Sequence, residues 1–126
     1  MNASSKKKLA QYERLAGMLR DRIAAGTYAR GDKLPSEMEL MGESGLSRST
    51  VRHALKVLVD EGLVRTERTA GRYVTEDRAL IEQLRAEAAR NLTAEFLEKM
   101  RGIGYGPEQA AALLERWNEK EGTNHD

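Results

Sequence analysis

Arg48, Ser49, Thr50, Arg52, His53 and Lys56 crowd into the stretch Leu46–Gly62, which has no carboxylate before Asp60. Guanidinium groups, an ammonium and small hydroxyls at that density suit hydrogen bonding to phosphate oxygens and base edges. The spacing says which way they face. Val51, Ala54, Leu55, Leu58 and Val59 recur at helical intervals and form one apolar stripe. Arg48, Ser49, Arg52, His53 and Lys56 fall on the other side. Ser47 is placed to cap this helix and Gly62 to end it, so the unpaired backbone N–H groups of the first turn open beside the arginines. An ordinary solvated basic face is the plainer alternative, and the flanking elements must decide.

Other chemistry has little material. Only His53 and His125 offer an imidazole, and there is no cysteine, hence no disulfide and no thiolate metal site. No ligand-spaced carboxylate cluster, no Gly-x-Gly-x-x-Gly and no Gly-Lys-Ser/Thr loop is present. Gly102-Ile103-Gly104-Tyr105-Gly106 follows a helical pattern and reads as a helix breaker. The expectation is a protein that is not an enzyme and uses neither cofactor nor metal. Tyr73 and Trp117 read as packing residues.

The 126 residues are 40% hydrophobic and 33% charged, which fits one ordinary domain plus an appendage in a soluble protein. Neither a signal peptide nor a stretch of roughly 20 apolar residues is seen, and the lack of cysteine fits the cytoplasm. The net charge of +1 conceals an asymmetry. Residues 1–75 carry 14 Lys+Arg against 9 Asp+Glu, a net +5, and residues 76–126 carry 7 against 11, a net −4. A polyanion would meet the first part.

The elements around the basic stretch can be read in order. Residues 1–8 suggest a disordered basic arm. From about Leu9 to Ala25, Tyr12, Leu15, Ala16, Leu19, Ile23 and Ala24 mark an amphipathic helix stopped at Gly26. Pro35-Ser36-Glu37-Met38-Glu39 opens a second helix, with Ser36 and Glu39 at capping-box spacing and Gly45 as its C-terminal stop. A short helix, a tight turn and the basic helix make a helix-turn-helix, for which an αα-hairpin with no role in DNA binding is the alternative. After Gly62 the period drops to about 2. Leu63–Glu67 and Arg72–Thr75 read as strands, with Arg68-Thr69-Ala70-Gly71 as the hairpin tip. A lone hairpin is marginal, so it must lean on the helices as a wing does.

These motifs resemble the winged helix-turn-helix domain of the GntR family of bacterial transcription regulators. The resemblance rests on Gly31-Asp32-Lys33-Leu34-Pro35-Ser36-Glu37, Ser47-Arg48-Ser49-Thr50-Val51-Arg52, Leu55 to Leu58, Glu61-Gly62-Leu63-Val64 and Gly71-Arg72-Tyr73-Val74. It implies operator contacts by Arg48 and Arg52, with Ser49 and Thr50 as phosphate or base partners. The full DNA-binding set is then Ser36, Ser47, Arg48, Ser49, Thr50, Arg52, His53, Lys56, Arg68, Gly71 and Arg72. Two positions depart from the family pattern: Met38 stands where arginine is frequent, and the wing reads Thr69-Ala70-Gly71 in place of Gly-Arg-Gly or similar.

Beyond Val74 the pattern is helical again. Ile81, Leu84, Ala88, Leu92, Phe96, Met100 and Ile103 keep helical spacing, Gly102 and Gly104 end that helix, and Pro107 starts another with Ala110, Leu113, Leu114 and Trp117 as its stripe. Two helices of this length cannot bury both stripes alone, and a second copy is the simplest cover. Ile81, Leu84, Leu92, Phe96, Met100, Leu113, Leu114 and Trp117 are therefore the expected dimerisation residues; folding back onto the winged domain is the alternative. This tail is similar to that of the YtrA group of the family, on Ala89-Arg90, Phe96-Leu97, Met100, Gly104 and Pro107–Leu114. That likeness implies a short repressor; a small-molecule effector is compatible with it, and no pocket for one shows in the sequence.

The expected architecture is mostly α with a small β-hairpin: a winged helix-turn-helix domain at 9–75 and a two-helix dimerisation region at 76–120, with 1–8 and 121–126 disordered. The expected function is sequence-specific binding of double-stranded DNA by a homodimer on a palindromic operator, with no membrane role. A winged module that holds a protein partner, with incidental DNA binding, is the rival.

Overall fold

The computed structural model describes the backbone of residues 3–68 and 71–122, and side chains within 10–68 and 71–121. Along the chain run α1 (Ala3–Ala25), α2 (Glu37–Ser44), α3 (Arg48–Asp60), β1 (Val64–Glu67), β2 (Gly71–Val74), α4 (Arg78–Gly102) and α5 (Pro107–Gly122). The mostly helical architecture with one hairpin is as the sequence implies. Helix α1 starts at Ala3, so most of the stretch expected as a disordered arm is helical; Ser-Ser-Lys-Lys-Lys contains no breaker, and lysine is a good helix former. Residues 1–2, the hairpin tip Thr69-Ala70 and the tail 123–126 lie outside the described residues.

Two compact units divide the chain, Met1–Ala86 and Glu87–Asp126. In the first, α1 and α2 pack on α3. Leu19, Leu40, Val51, Leu55, Leu58 and Val74 are fully buried in one cluster with Leu15, Ile23, Leu34 and Leu63. The buried positions of α3 are those of the apolar stripe, which turns its basic side outward. Both helix starts of the helix-turn-helix are fixed locally. Ser36 Oγ accepts from Glu39 N–H at 3.1 Å, and the Glu39 carboxylate accepts from Ser36 N–H at 3.1 Å, closing the capping box. Gly45 ends α2 in the left-handed region, at φ 74°, where a side chain would be strained. Two residues on, Ser47 caps α3.

The hairpin pairs Val64 with Val74 and Glu67 with Gly71. It is held by a third extended segment, residues 32–34. Leu34 N–H donates to Arg72 C=O and Val74 N–H to Asp32 C=O, both at 2.8 Å. Those bonds supply the edge support that two isolated strands lack.

The opening turns of α4 belong to the first unit, where Ile81 is buried in the core cluster and Leu84 packs against it. Arg85 Nε adds a 2.9 Å hydrogen bond to Ala24 C=O, at the C-terminal end of α1 where helical carbonyls lack intrahelical donors. Of the residues expected at a dimer contact, Ile81 is therefore buried in the core of the first unit and Leu84 is half-buried against that core. They share helical spacing with Leu92 and Phe96, but belong to the first unit, where the core cluster supplies their apolar neighbours.

In the second unit, Tyr105 N–H donates to Met100 C=O at 2.9 Å to close the end of α4, and Gly106 N–H donates to Gln109 Oε1 at 2.9 Å as α5 begins. Ala110 is buried. Leu92, Phe96, Ile103, Leu113, Leu114 and Trp117 are exposed, and Met100 is half-buried.

Candidate nucleic-acid interface

The interface is built from the start of α3, the start of α2 and the hairpin. Ser47 Oγ accepts from Thr50 N–H and lies 2.9 Å from Thr50 Oγ1 and 3.2 Å from Ser49 Oγ. Its oxygen is therefore largely committed to the cap, as is that of Ser36. Thr50, expected as a phosphate or base partner, is buried with its hydroxyl on Ser47; its place beside Val51 on the inner side of the first turn accounts for this. Ser49 remains exposed.

The two arginines of α3 differ. Arg48 is exposed and has no side-chain partner among the described residues. Arg52 is exposed but gripped by Glu37. It donates through Nε to Oε2 at 3.1 Å and through Nη2 to Oε1 at 3.0 Å, a bidentate pair. Arg72, from β2, donates through Nη2 to the same Oε2 at 3.1 Å. One carboxylate thus links the basic helix to the wing. The hydrogen bonds from Arg52, assisted by the one from Arg72 and opposed by partial burial, hold the Glu37 carboxyl down to about 2. Glu37 raises the Arg52 pKa in turn.

The remaining expected residues are spread along the same elements. Lys56 pairs with Asp60 across one turn at 3.0 Å, and both are well exposed, so the pair is easily given up. The His53 ring stacks on Tyr12 of α1 with centroids 3.9 Å apart. Arg68 is exposed at the end of β1. Gly71 sits at φ 96°, and a Cβ there would come within 3.1 Å of the Lys33 side chain. Arg65 lies over the Tyr73 ring, 5.2 Å from its centroid, so Tyr73 serves as a platform within the hairpin.

Glu37 and Lys33 are the residues that the sequence reading did not single out for this surface. Glu37 was visible only as an acid in the first turn of α2; its partners lie 15 and 35 positions away. Met38 beside it is 71% exposed.

Among the described residues no group of three or more His, Asp or Glu is placed to hold a metal ion, and no helix is long and apolar enough to cross a membrane. An open groove of about 260 Å³ lies between α1 and the end of α2, lined by Leu15, Met18 and Leu46 with Arg14 and Glu43 at its rim. Glu43 is already paired with Arg22, which holds its carboxyl below the usual range.

Residues 11–74 match the family described as bacterial regulatory proteins, gntR family. The chain belongs to that family. Among its gntR-type relatives, a GntR family transcriptional regulator from Listeria monocytogenes superposes with a TM-score of 0.73 at 32% identity, over 83% of this chain and 92% of that one. The mannosyl-D-glycerate transport/metabolism system repressor of Escherichia coli (strain K12) is 42% identical over 67 residues, which is 53% of this chain and 28% of the repressor. AraR(DBD), solved in complex with operator ORX1, superposes with a TM-score of 0.50 at 32% identity, over 52% of this chain and 78% of that one. The chain spans well under two thirds of the length of the first curated relatives it matches.

Proposed function

We propose that this protein is a sequence-specific DNA-binding transcription regulator, a cytoplasmic repressor of the short YtrA-like type, which binds a palindromic operator as a homodimer. The observation that carries this reading is the exposed Arg48, without a partner among the described residues, in the first turn of a capped helix and one turn before Arg52, which shares Glu37 with Arg72. In this mechanism α3 enters the major groove and Arg48 and Arg52 read base edges. Ser49, Lys56, Arg68 and the backbone N–H groups at the α3 start hold phosphates. The operator complex of AraR(DBD) and the repressor name of the Escherichia coli relative support it.

Dimerisation is assigned to the second unit. Leu92, Phe96, Leu113, Leu114 and Trp117 are exposed there, and Ile103 is 72% exposed. So much large apolar surface on a short pair of helices is best explained by a second copy that covers it. The Listeria regulator supports the short-tailed type, because the 83% of this chain that it matches exceeds what Met1–Ala86 alone can supply. Two-fold symmetry then sets half-sites about 10 bp apart or a multiple of that.

The test uses a duplex selected from a random library by the wild-type protein. Arg48→Ala is expected to weaken binding to that duplex at least tenfold, the loss of a guanine contact worth about 1–3 kcal/mol, with helix content and oligomeric state unchanged. Wild-type affinity in that variant would remove the reading.

A further inference from the structure

We propose that Glu37 sets the specificity of this interface: it positions Arg52 and Arg72 for the operator and penalises duplexes that offer only phosphates. The inference rests on the reading that α3 meets DNA.

The geometry of the pair is selective. Arg52 gives Glu37 its side edge, the N–H groups of Nε and Nη2. The other edge, Nη1 with the second N–H of Nη2, remains open, and it is that parallel pair of donors that fits the O6 and N7 acceptors of guanine. Holding one edge fixes the plane in which the other can be offered. A flexible arginine would have to give up its rotamer freedom on binding; this one is already ordered. Arg72 shares Oε2 with Arg52 Nε, so the register of the wing against α3 passes through the same atom.

The charge has a second consequence. The Glu37 side chain is only 17% exposed, against 60% for Arg52, because the two guanidinium groups cover it. If a phosphate draws Arg52 or Arg72 away, the carboxylate loses a charged donor and is left with less compensation close to a polyanion. A sequence that presents guanine to the open edge of Arg52 requires no such separation. Discrimination therefore comes from a built-in repulsive element as well as from attraction.

The test compares Glu37→Gln with wild type on the selected duplex and on a scrambled duplex of the same composition, at one salt concentration and then across a salt series. Glutamine keeps the shape and one acceptor but removes the charge. Binding to the scrambled duplex is expected to tighten at least threefold with a steeper salt dependence, and the ratio of selected to scrambled affinity to fall at least tenfold. Glu37→Asp, which restores the charge on a shorter stem, is expected to recover part of that ratio. A ratio within twofold of wild type in Glu37→Gln would overturn the proposal. So would a proportional loss on both duplexes, which is what a merely structural role for Glu37 produces. Arg48→Ala separates the two levels: if that variant loses the selected duplex while Glu37→Gln keeps the wild-type ratio, this inference alone fails. If Arg48→Ala binds as wild type, the DNA reading fails and this inference with it.

Discussion

The two units solve the same problem in opposite ways. In Met1–Ala86 the large apolar side chains of α1, α2 and α3 meet one another, and Leu19, Leu40, Leu55 and Leu58 have no exposed surface. In Glu87–Asp126 the apolar positions are as regular in sequence, yet Leu92, Ile103 and Trp117 stay more than half exposed. Regular spacing makes a helix amphipathic; only a facing element makes its stripe a core. The first unit contains its own facing elements. In the second, Leu92, Ile103 and Trp117 have no such cover within their own unit.

The sharpest way to break this contrast is to damage each unit where it is said to be closed. Leu55→Ala removes a fully buried side chain at the centre of the first unit, and a loss of about 2–5 kcal/mol is expected in urea unfolding followed by circular dichroism. A loss below about 1 kcal/mol would mean that this core is not the close-packed one described.

The matching change in the second unit is Trp117→Glu. Trp117 is 66% exposed within one chain, so the stability of the winged unit should not move. The dimer dissociation constant, read by sedimentation equilibrium, is expected to rise at least a hundredfold, because a charge would be buried without a partner. An unchanged dimer would place the contact between copies elsewhere. A monomer in both variant and wild type would remove the contrast altogether.

The smallest effect sharpens the comparison through charge. The carboxylates held below their usual range by arginines, Glu37 at about 2 through Arg52 and Arg72 and Glu43 through Arg22, both lie in the first unit. A pKa that is lower folded than unfolded adds stability above the unfolded value, and that stability is lost as pH falls through the folded one. The melting temperature of the winged unit should therefore decline as pH drops from about 4.5 toward 2, and Glu37→Gln should flatten part of that decline. The same slope in wild type and Glu37→Gln would show that the Arg52–Glu37–Arg72 cluster contributes nothing to folding.

Features governed by neighbours in sequence could be read from the chain. The Ser36–Glu39 capping box, the Gly45 stop, the Ser47 cap and the helical stripe from Val51 to Leu58 depend on residues within one or two turns. The hairpin was legible too, through the change of period after Gly62. Its support by residues 32–34 was not, because that short segment carries no periodicity and its partners lie some forty positions on.

The interface divides along the same line. Charge and spacing alone placed Arg48 and Arg52 on one side of one helix, and local capping turned Ser36 and Ser47 toward the backbone. What distinguishes the two arginines is long-range. Glu37 reaches Arg52 and Arg72 only because α2, α3 and the wing pack on a shared core.

The sequence by itself determined the helices, the turn between them, the basic face and the division of charge, since each follows from short-range stereochemistry and composition. The tertiary structure alone decided that Ile81 is core, with Leu84 half-buried against it, while Leu92 and Phe96 are surface, that Thr50 is turned inward, and that a glutamate holds two of the arginines. Those outcomes depend on which surfaces are close enough to exclude water or to share a hydrogen bond. That proximity is fixed by packing between residues far apart in the chain.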